Sequence, residues 1–187
     1  MPHEGKQTRT TSMMIVIGSG GHTKEMLSLI SFLGSQYTPR YYIMANTDQM
    51  SRDKVKEFES LKENKENNQQ HKIYRIPRSR EVKQSWFTTI WTTIVAIIYA
   101  FPLVFYINPK IILCNGPGTC IPLCFAGLLL KIFTFGKTQM IYVESICRVE
   151  TLSLSAKLLY YIVDHMFVQW PSLQQQYPRT KYIGRIV

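Results

Sequence analysis

Two segments of this chain share one pattern: an apolar run that ends in a glycine turn and gives way to helical spacing. The first is residues 13–18 (MMIVIG), which leads into Gly18-Ser19-Gly20-Gly21-His22-Thr23 and then into Met26, Leu27, Leu29, Ile30 and Leu33. The second is residues 111–114, which leads into Asn115-Gly116-Pro117-Gly118-Thr119 and the apolar run 120–132. A short, wholly apolar run bounded by glycine is how a strand buried on both faces reads, and such strands belong to parallel sheets covered by helices. Further strand candidates lie at 41–45, 72–76, 139–143 and 166–168, with a last short one at Tyr182 and Ile183. Helical spacing at 50–61 and 152–163 falls between them. The alternation predicts an α/β fold, a Rossmann-like parallel sheet with helices on both faces. Right-handed crossovers bring the strand ends to one edge, where ligands of such sheets bind. The two glycine turns and the Glu144-Ser145 pair that follows the fifth strand therefore share that edge.

The chain has 187 residues, enough for one domain but not for two. Its polar start, residues 1–12, lacks an apolar core and is read as a disordered leader to a domain over 13–187. Residues 62–70 (KENKENNQQ within them) are polar and low in complexity, which predicts a loop. Residues 84–109 carry no charge, and Trp86–Ile107 is rich in Ile, Val, Phe, Tyr and Trp. As a helix that segment is about 33 Å long, near bilayer thickness. A spanning helix, a buried core helix and a helix lying in the membrane interface all fit. Four threonines and Pro102 weigh against spanning, and basic residues on both flanks favour the interface.

The net charge of +10 favours an anionic partner. The basic residues scatter, with one cluster at Arg75, Arg78, Arg80 and Lys83, so no nucleic-acid-binding motif emerges. Cys114, Cys120, Cys124 and Cys147 lack metal-site spacing and read as buried free thiols of a reducing compartment.

Four elements can carry chemistry. In the first turn, glycines permit close backbone approach, and the helix start attracts phosphate. The turn is GxGG rather than GxGxxG, and Asp48 lies 30 residues past Gly18, so a dinucleotide-binding oxidoreductase has little support. His22, in the first helical turn, suits a general base, a phosphate donor or a simple cap. The second turn supplies Asn115, Gly116, Gly118 and Thr119, so that two loops clasp a diphosphate from two sides. Glu144 after an apolar strand would be desolvated, with its pKa raised toward a working range, or would cap the next segment. Arg78 and Arg80 can hold phosphates, or form a solvated basic turn with Glu81.

The segments GSGGHT, IPRSREV, ILCNGPGTC, YVESICRVETLS, VQWP and the terminal GRIV, taken in order, resemble the asparagine-linked glycosylation protein 14 family. More distantly, the strand–GxGGH–helix start resembles the bacterial GlcNAc transferase that makes lipid II. The first resemblance implies the N-terminal, acceptor-binding half of a GT-B glycosyltransferase, without metal or other cofactor. It implies transfer of GlcNAc from UDP-GlcNAc, with inversion, to the 4-hydroxyl of GlcNAc-diphosphodolichol at the cytosolic face of the endoplasmic reticulum. UDP-GlcNAc would be held mostly by a separate donor-binding subunit of the asparagine-linked glycosylation protein 13 family. Members commonly begin with a membrane anchor, which residues 1–12 do not supply; either the anchor is lost or spliced out, or Trp86–Ile107, within the apolar membrane-associated segment 84–109, alone holds membrane lipid. Carried onto this sequence, Ser19, Gly20, Gly21, Thr23, Asn115, Gly116, Gly118, Thr119, Arg78 and Arg80 face the acceptor diphosphate. His22 is the expected base, with Glu144 second. The tail Tyr182, Ile183, Gly184, Arg185, Ile186 and Val187 meets the partner subunit. A non-catalytic recruiter of the partner is the alternative.

Overall fold

The computed structural model describes residues 10–63, 70–78 and 86–186. Strands β1 (Met13–Val16), β2 (Arg40–Ala45), β3 (His71–Ile76), β4 (Ile111–Asn115), β5 (Gln139–Val143), β6 (His165–Val168) and β7 (Thr180–Tyr182) alternate with helices. The helices are α1 (Gly21–Ser31), α2 (Gln49–Glu63), α3 (Trp86–Ile107), α4 (Cys120–Phe133), α5 (Leu154–Leu159) and α6 (Pro171–Gln176). All seven strands pair in parallel, in the order β3-β2-β1-β4-β5-β6-β7. The predicted α/β parallel sheet is present, and its winding reverses between β1 and β4.

The period of two along each strand divides the core. Met13, Ile15 and Ile17 point to one face, where Met26 and Ile30 of α1 and Val55 of α2 cover them. Met14 and Val16 point to the other, beneath Ala100 and Val104 of α3, Leu123 and Leu130 of α4, and Leu159 of α5. Every one of these apolar side chains is buried, so both faces of the central strands contribute to hydrophobic stabilisation.

Helix α3 has the limits its composition predicts. Its buried stripe is small, Ala96, Ala100 and Val104 at a spacing of four, which lets it lie close against α4. Its bulky residues face outward: Ile90, Trp91, Ile98 and Tyr106 are each at least 60% exposed. Phe125, Leu129, Ile132 and Phe133 of α4 are also exposed, and the Phe105 and Phe133 rings meet edge-on at 5.9 Å. The threonines do not break the helix, because Thr92 and Thr93 donate their hydroxyls to the Thr89 carbonyl.

Several expectations need correction. The helix expected over 152–163 starts only at Leu154, because the Ser153 hydroxyl accepts the Ala156 N–H and caps it there. Helix α6 was not anticipated, although Pro171 at its first turn is a start signal. The last strand comes earlier than Tyr182 and Ile183, at 180–182. Thr11 and Ser12 belong to the domain rather than to a loose leader: Thr11 N–H donates to Gln36 O, and Ser12 O accepts from Lys110 N–H. Residues 1–9 of that leader, and 64–69 of the polar loop, lie outside the described residues. Three of the cysteines are buried, but Cys147 is exposed, since it follows β5 in a turn at the sheet edge.

Candidate functional site

At the reversal point the loops after β1 and β4 leave in opposite directions, and a crevice opens above the two strand ends. A cleft of about 600 Å³ occupies it. One part of its wall is polar, with Ser19 from the first glycine turn, Gly116, Gly118 and Thr119 from the second, Arg78 after β3 and Arg148 after β5. The other part is apolar, with Ile90 and Ile94 from α3 and Leu154 and Leu158 from α5. A recess of about 330 Å³ adjoins it, walled by Gly21, Glu25, Glu144, Ser145 and Cys147. His22, Gly116, Arg148 and Ser153 border both spaces.

Glycine is required at two positions of these turns. Gly20 takes φ +64°, the left-handed turn that starts α1. Gly116 takes φ +74°, and a Cβ there would lie 2.3 Å from His22 Cε1 and 2.7 Å from Nδ1. The imidazole therefore lies flush against the second turn, and only a residue without a side chain leaves it room. Beneath the ring, His22 Nδ1 is 3.2 Å from Asn115 Oδ1. Asn115 Nδ2 donates to Glu25 Oε2 at 3.1 Å and to Val143 O at 3.3 Å, and Ser145 Oγ donates to Glu25 Oε1 at 2.8 Å.

The sequence-predicted residues separate into distinct positions. Ser19, Gly116, Gly118, Thr119 and Arg78 line the cleft, and Thr119 has no side-chain capping bond to occupy its hydroxyl. Gly21 lines the recess, whereas Gly20 is absent from both linings and shapes the turn. Thr23 is a correction: it is fully buried, and its hydroxyl is held by Gly18 O and Ser51 Oγ. Asn115 is another, buried behind the imidazole rather than open to a ligand. Glu144 is fully buried, with one carboxylate oxygen accepting Ser145 N–H at 3.0 Å and the other Ser153 N–H at 2.8 Å. Burial raises its pKa, as anticipated, against the pull of those two backbone bonds. Its oxygens are committed to folding the segment after β5, whereas the His22 ring borders both the cleft and the recess.

Arg80 and Val187 lie outside the described residues. Of the tail, Tyr182, Ile183 and Arg185 are exposed, and the Arg185 guanidinium stacks 4.3 Å above the Trp170 ring. Gly184 is half-buried with φ +80°, and Ile186 N–H donates to Gln169 Oε1 at 3.0 Å. The structure adds Arg148 and Glu25, which sequence reasoning did not assign to the site. The only signal for Glu25 was its position one helical turn after His22, on the same face of α1.

This architecture defines the class. A parallel sheet wound in two directions, with glycine turns at the reversal point, is a Rossmann-like unit, and solved structures of low sequence identity share this fold. MurG of Acinetobacter baumannii superposes with a TM-score of 0.65 at 15% identity, covering 94% of this chain and 45% of that one. LpCGTa in complex with UDP superposes with a TM-score of 0.58 at 12% identity, covering 95% of this chain and 53% of that one. The chain thus spans about half the length of either structure. It belongs to the family of oligosaccharide biosynthesis proteins like Alg14, whose sequence model matches residues 13–186. The UDP-N-acetylglucosamine transferase subunit ALG14 of Rattus norvegicus is 47% identical, over 99% of this chain and 87% of that protein. The subunit of the same name from Schizosaccharomyces pombe is 42% identical, over 92% of this chain and 81% of that protein.

Proposed function

We propose that this chain is the acceptor-side subunit of a UDP-GlcNAc transferase that adds a second GlcNAc, β-1,4-linked, to GlcNAc-diphosphodolichol. The observation that carries the reading is the two-sided cleft. Its polar wall, with Ser19, Thr119 and the Arg78 and Arg148 guanidiniums, suits a diphosphate. Its apolar wall, with Ile90, Ile94, Leu154 and Leu158, suits the lipid that the diphosphate carries. The two chemistries of one amphipathic substrate are met by the two parts of one crevice.

In the reaction, His22 Nε2 takes the proton of the acceptor 4-hydroxyl as its oxygen attacks C1 of the donor GlcNAc. The new C1–O4 bond forms on the face opposite the departing UDP, the C1–phosphate oxygen bond breaks, and the anomeric centre inverts. One Rossmann-like unit offers one wall of such a site. The donor wall therefore comes from a second, UDP-GlcNAc-binding subunit, resembling the asparagine-linked glycosylation protein 13 family. The tail from Tyr182 to Ile186, with Tyr182, Ile183 and Arg185 exposed, is where that subunit docks.

The outward face of α3 and α4 is read as lying in the membrane interface, on the cytosolic side of the endoplasmic reticulum. The span 89–107 is long and apolar enough to cross a bilayer, yet α3 packs its small-residue stripe on α4, which suits lying flat. Ile94→Asp with Ile98→Asp should release the chain from liposomes in a flotation assay while leaving its circular dichroism unchanged. Retention of the folded variant on liposomes would remove this reading.

The test of the function is a transfer assay with the chain, the donor-binding subunit, UDP-GlcNAc and a GlcNAc-diphosphate lipid. His22→Ala should lower kcat by about 10²- to 10⁴-fold, the range of general-base catalysis, with complex formation intact. Full activity in an intact variant complex would instead favour a non-catalytic recruiter.

A further inference from the structure

We infer that Glu25 is a positioning residue for His22: acting through Asn115, it holds the imidazole as its Nδ1–H tautomer, with Nε2 free to accept a proton. This inference rests on the reading of His22 as base and extends it to two residues beneath the cleft.

The orientation of the Asn115 amide decides the tautomer. Its Nδ2 lies 3.3 Å from Val143 O, and a carbonyl oxygen only accepts. Its other neighbour on that side is the Glu25 carboxyl, 3.1 Å away. The amino group must therefore face Val143 and Glu25, because a flipped amide would set its own oxygen against theirs. That orientation turns Oδ1 toward His22 Nδ1 at 3.2 Å. An amide oxygen also only accepts, so Nδ1 carries the hydrogen. In a neutral imidazole the lone pair is then on Nε2. The close fit of the ring against Gly116 opposes rotation that would exchange the two nitrogens.

Glu25 is what makes this arrangement specific. It is 6% exposed, and its hydrogen-bond donors, Ser145 Oγ and Asn115 Nδ2, are both neutral. Burying a carboxyl among neutral donors is a costly way to fill space. It is a direct way to supply an acceptor that cannot rotate out of register, because Ser145 fixes one oxygen while the other receives Asn115. The relay runs Ser145–Glu25–Asn115–His22, with a neutral amide between acid and imidazole. It brings together residues from α1, the end of β4 and the turn after β5, all at the carboxyl edge of the sheet.

The experiment uses the complex of the full chain with its donor-binding subunit, and a chain carrying ¹⁵N in its histidine rings. The His22 signals are assigned by their absence in His22→Ala. In wild type, Nδ1 should show the shift of a protonated ring nitrogen and Nε2 that of an unprotonated one. Glu25→Gln can turn its amino group to Asn115 and its carbonyl to the Ser145 hydroxyl, which leaves Val143 O alone to hold the Asn115 amide in place. Its spectrum should show mixed tautomers, and kcat should fall by about 10- to 100-fold, as for other supporting residues, with acceptor KM unchanged. The swap Glu25→Gln with Asn115→Asp keeps net charge and restores an acceptor facing Nδ1. It should recover the tautomer and much of kcat, although Val143 O loses its donor. An unchanged tautomer in Glu25→Gln, or a loss of kcat that the swap fails to recover, overturns the relay. A changed tautomer with unchanged kcat would keep the relay and reject His22 as base.

Discussion

Two carboxyl groups are buried on neighbouring helices over the same sheet face, and they are held in opposite ways. Glu59 of α2 meets the fully buried Arg40, whose Nε donates at 2.8 Å and whose NH2 bonds the second oxygen, and the Tyr42 hydroxyl adds a third bond. Among the described residues, Glu25 of α1 hydrogen-bonds only a serine hydroxyl and an asparagine amide. Arg40 stands at the start of β2, whereas Asn115 stands at the end of β4. At the amino edge of a parallel sheet a charge is neutralised on the spot and serves the fold. At the carboxyl edge, where ligands bind, a carboxyl bonds a serine hydroxyl and the asparagine amide that backs an imidazole.

Arg40→Met leaves Glu59 buried without its cation and should cost about 3–5 kcal/mol in denaturant unfolding. Adding Glu59→Leu should recover part of that loss, since an apolar pair can replace a buried ion pair. If Arg40→Met is neutral, Glu59 is no more structural than Glu25.

Acid should act on Glu59 next. Burial pushes its pKa up, but the bonds from Arg40 and Tyr42 outweigh this and hold the carboxyl below its usual range. Its contribution is thus fully present above the ordinary value near 4.5 and fades as pH falls through the lower folded value. The stability gap between wild type and Glu59→Gln should narrow over that window. Glu144 works with the opposite sign, because its raised folded pKa makes its burial less costly as pH falls. A gap that stays constant would mean the Arg40 pair does not hold Glu59 ionised.

The smallest effect on the fold should come from Gly116→Ala. A left-handed backbone costs an ordinary residue about 1–2 kcal/mol. The new methyl would also displace the His22 ring, so transfer activity should fall much further than stability. Equal losses of both would indicate a merely structural turn.

The strands, their parallel pairing and the limits of α3 were legible because each depends on local apolar runs and on where charge stops. The two glycine turns were legible as a shared edge for the same reason. The assignment of Thr23 and Asn115 to a ligand failed because a loop's position does not reveal which way a side chain points. Thr23 turns back to Ser51, and Asn115 turns beneath the ring. Glu25 was missed because its partners lie 90 and 120 residues away in sequence. Only the closed sheet brings them together. Arg148 is similar: its value comes from bordering both the cleft and the recess.

Ile90 and Ile94 belong both to the outer face of α3 and to the lining of the cleft. Were α3 to lie in the interface, as proposed, the crevice would open toward the lipid layer. A lipid acceptor would arrive by lateral diffusion in two dimensions, its tail never leaving the bilayer. The frequency of encounters would then be set by the acceptor's surface density in the membrane, and not by its concentration in the surrounding volume.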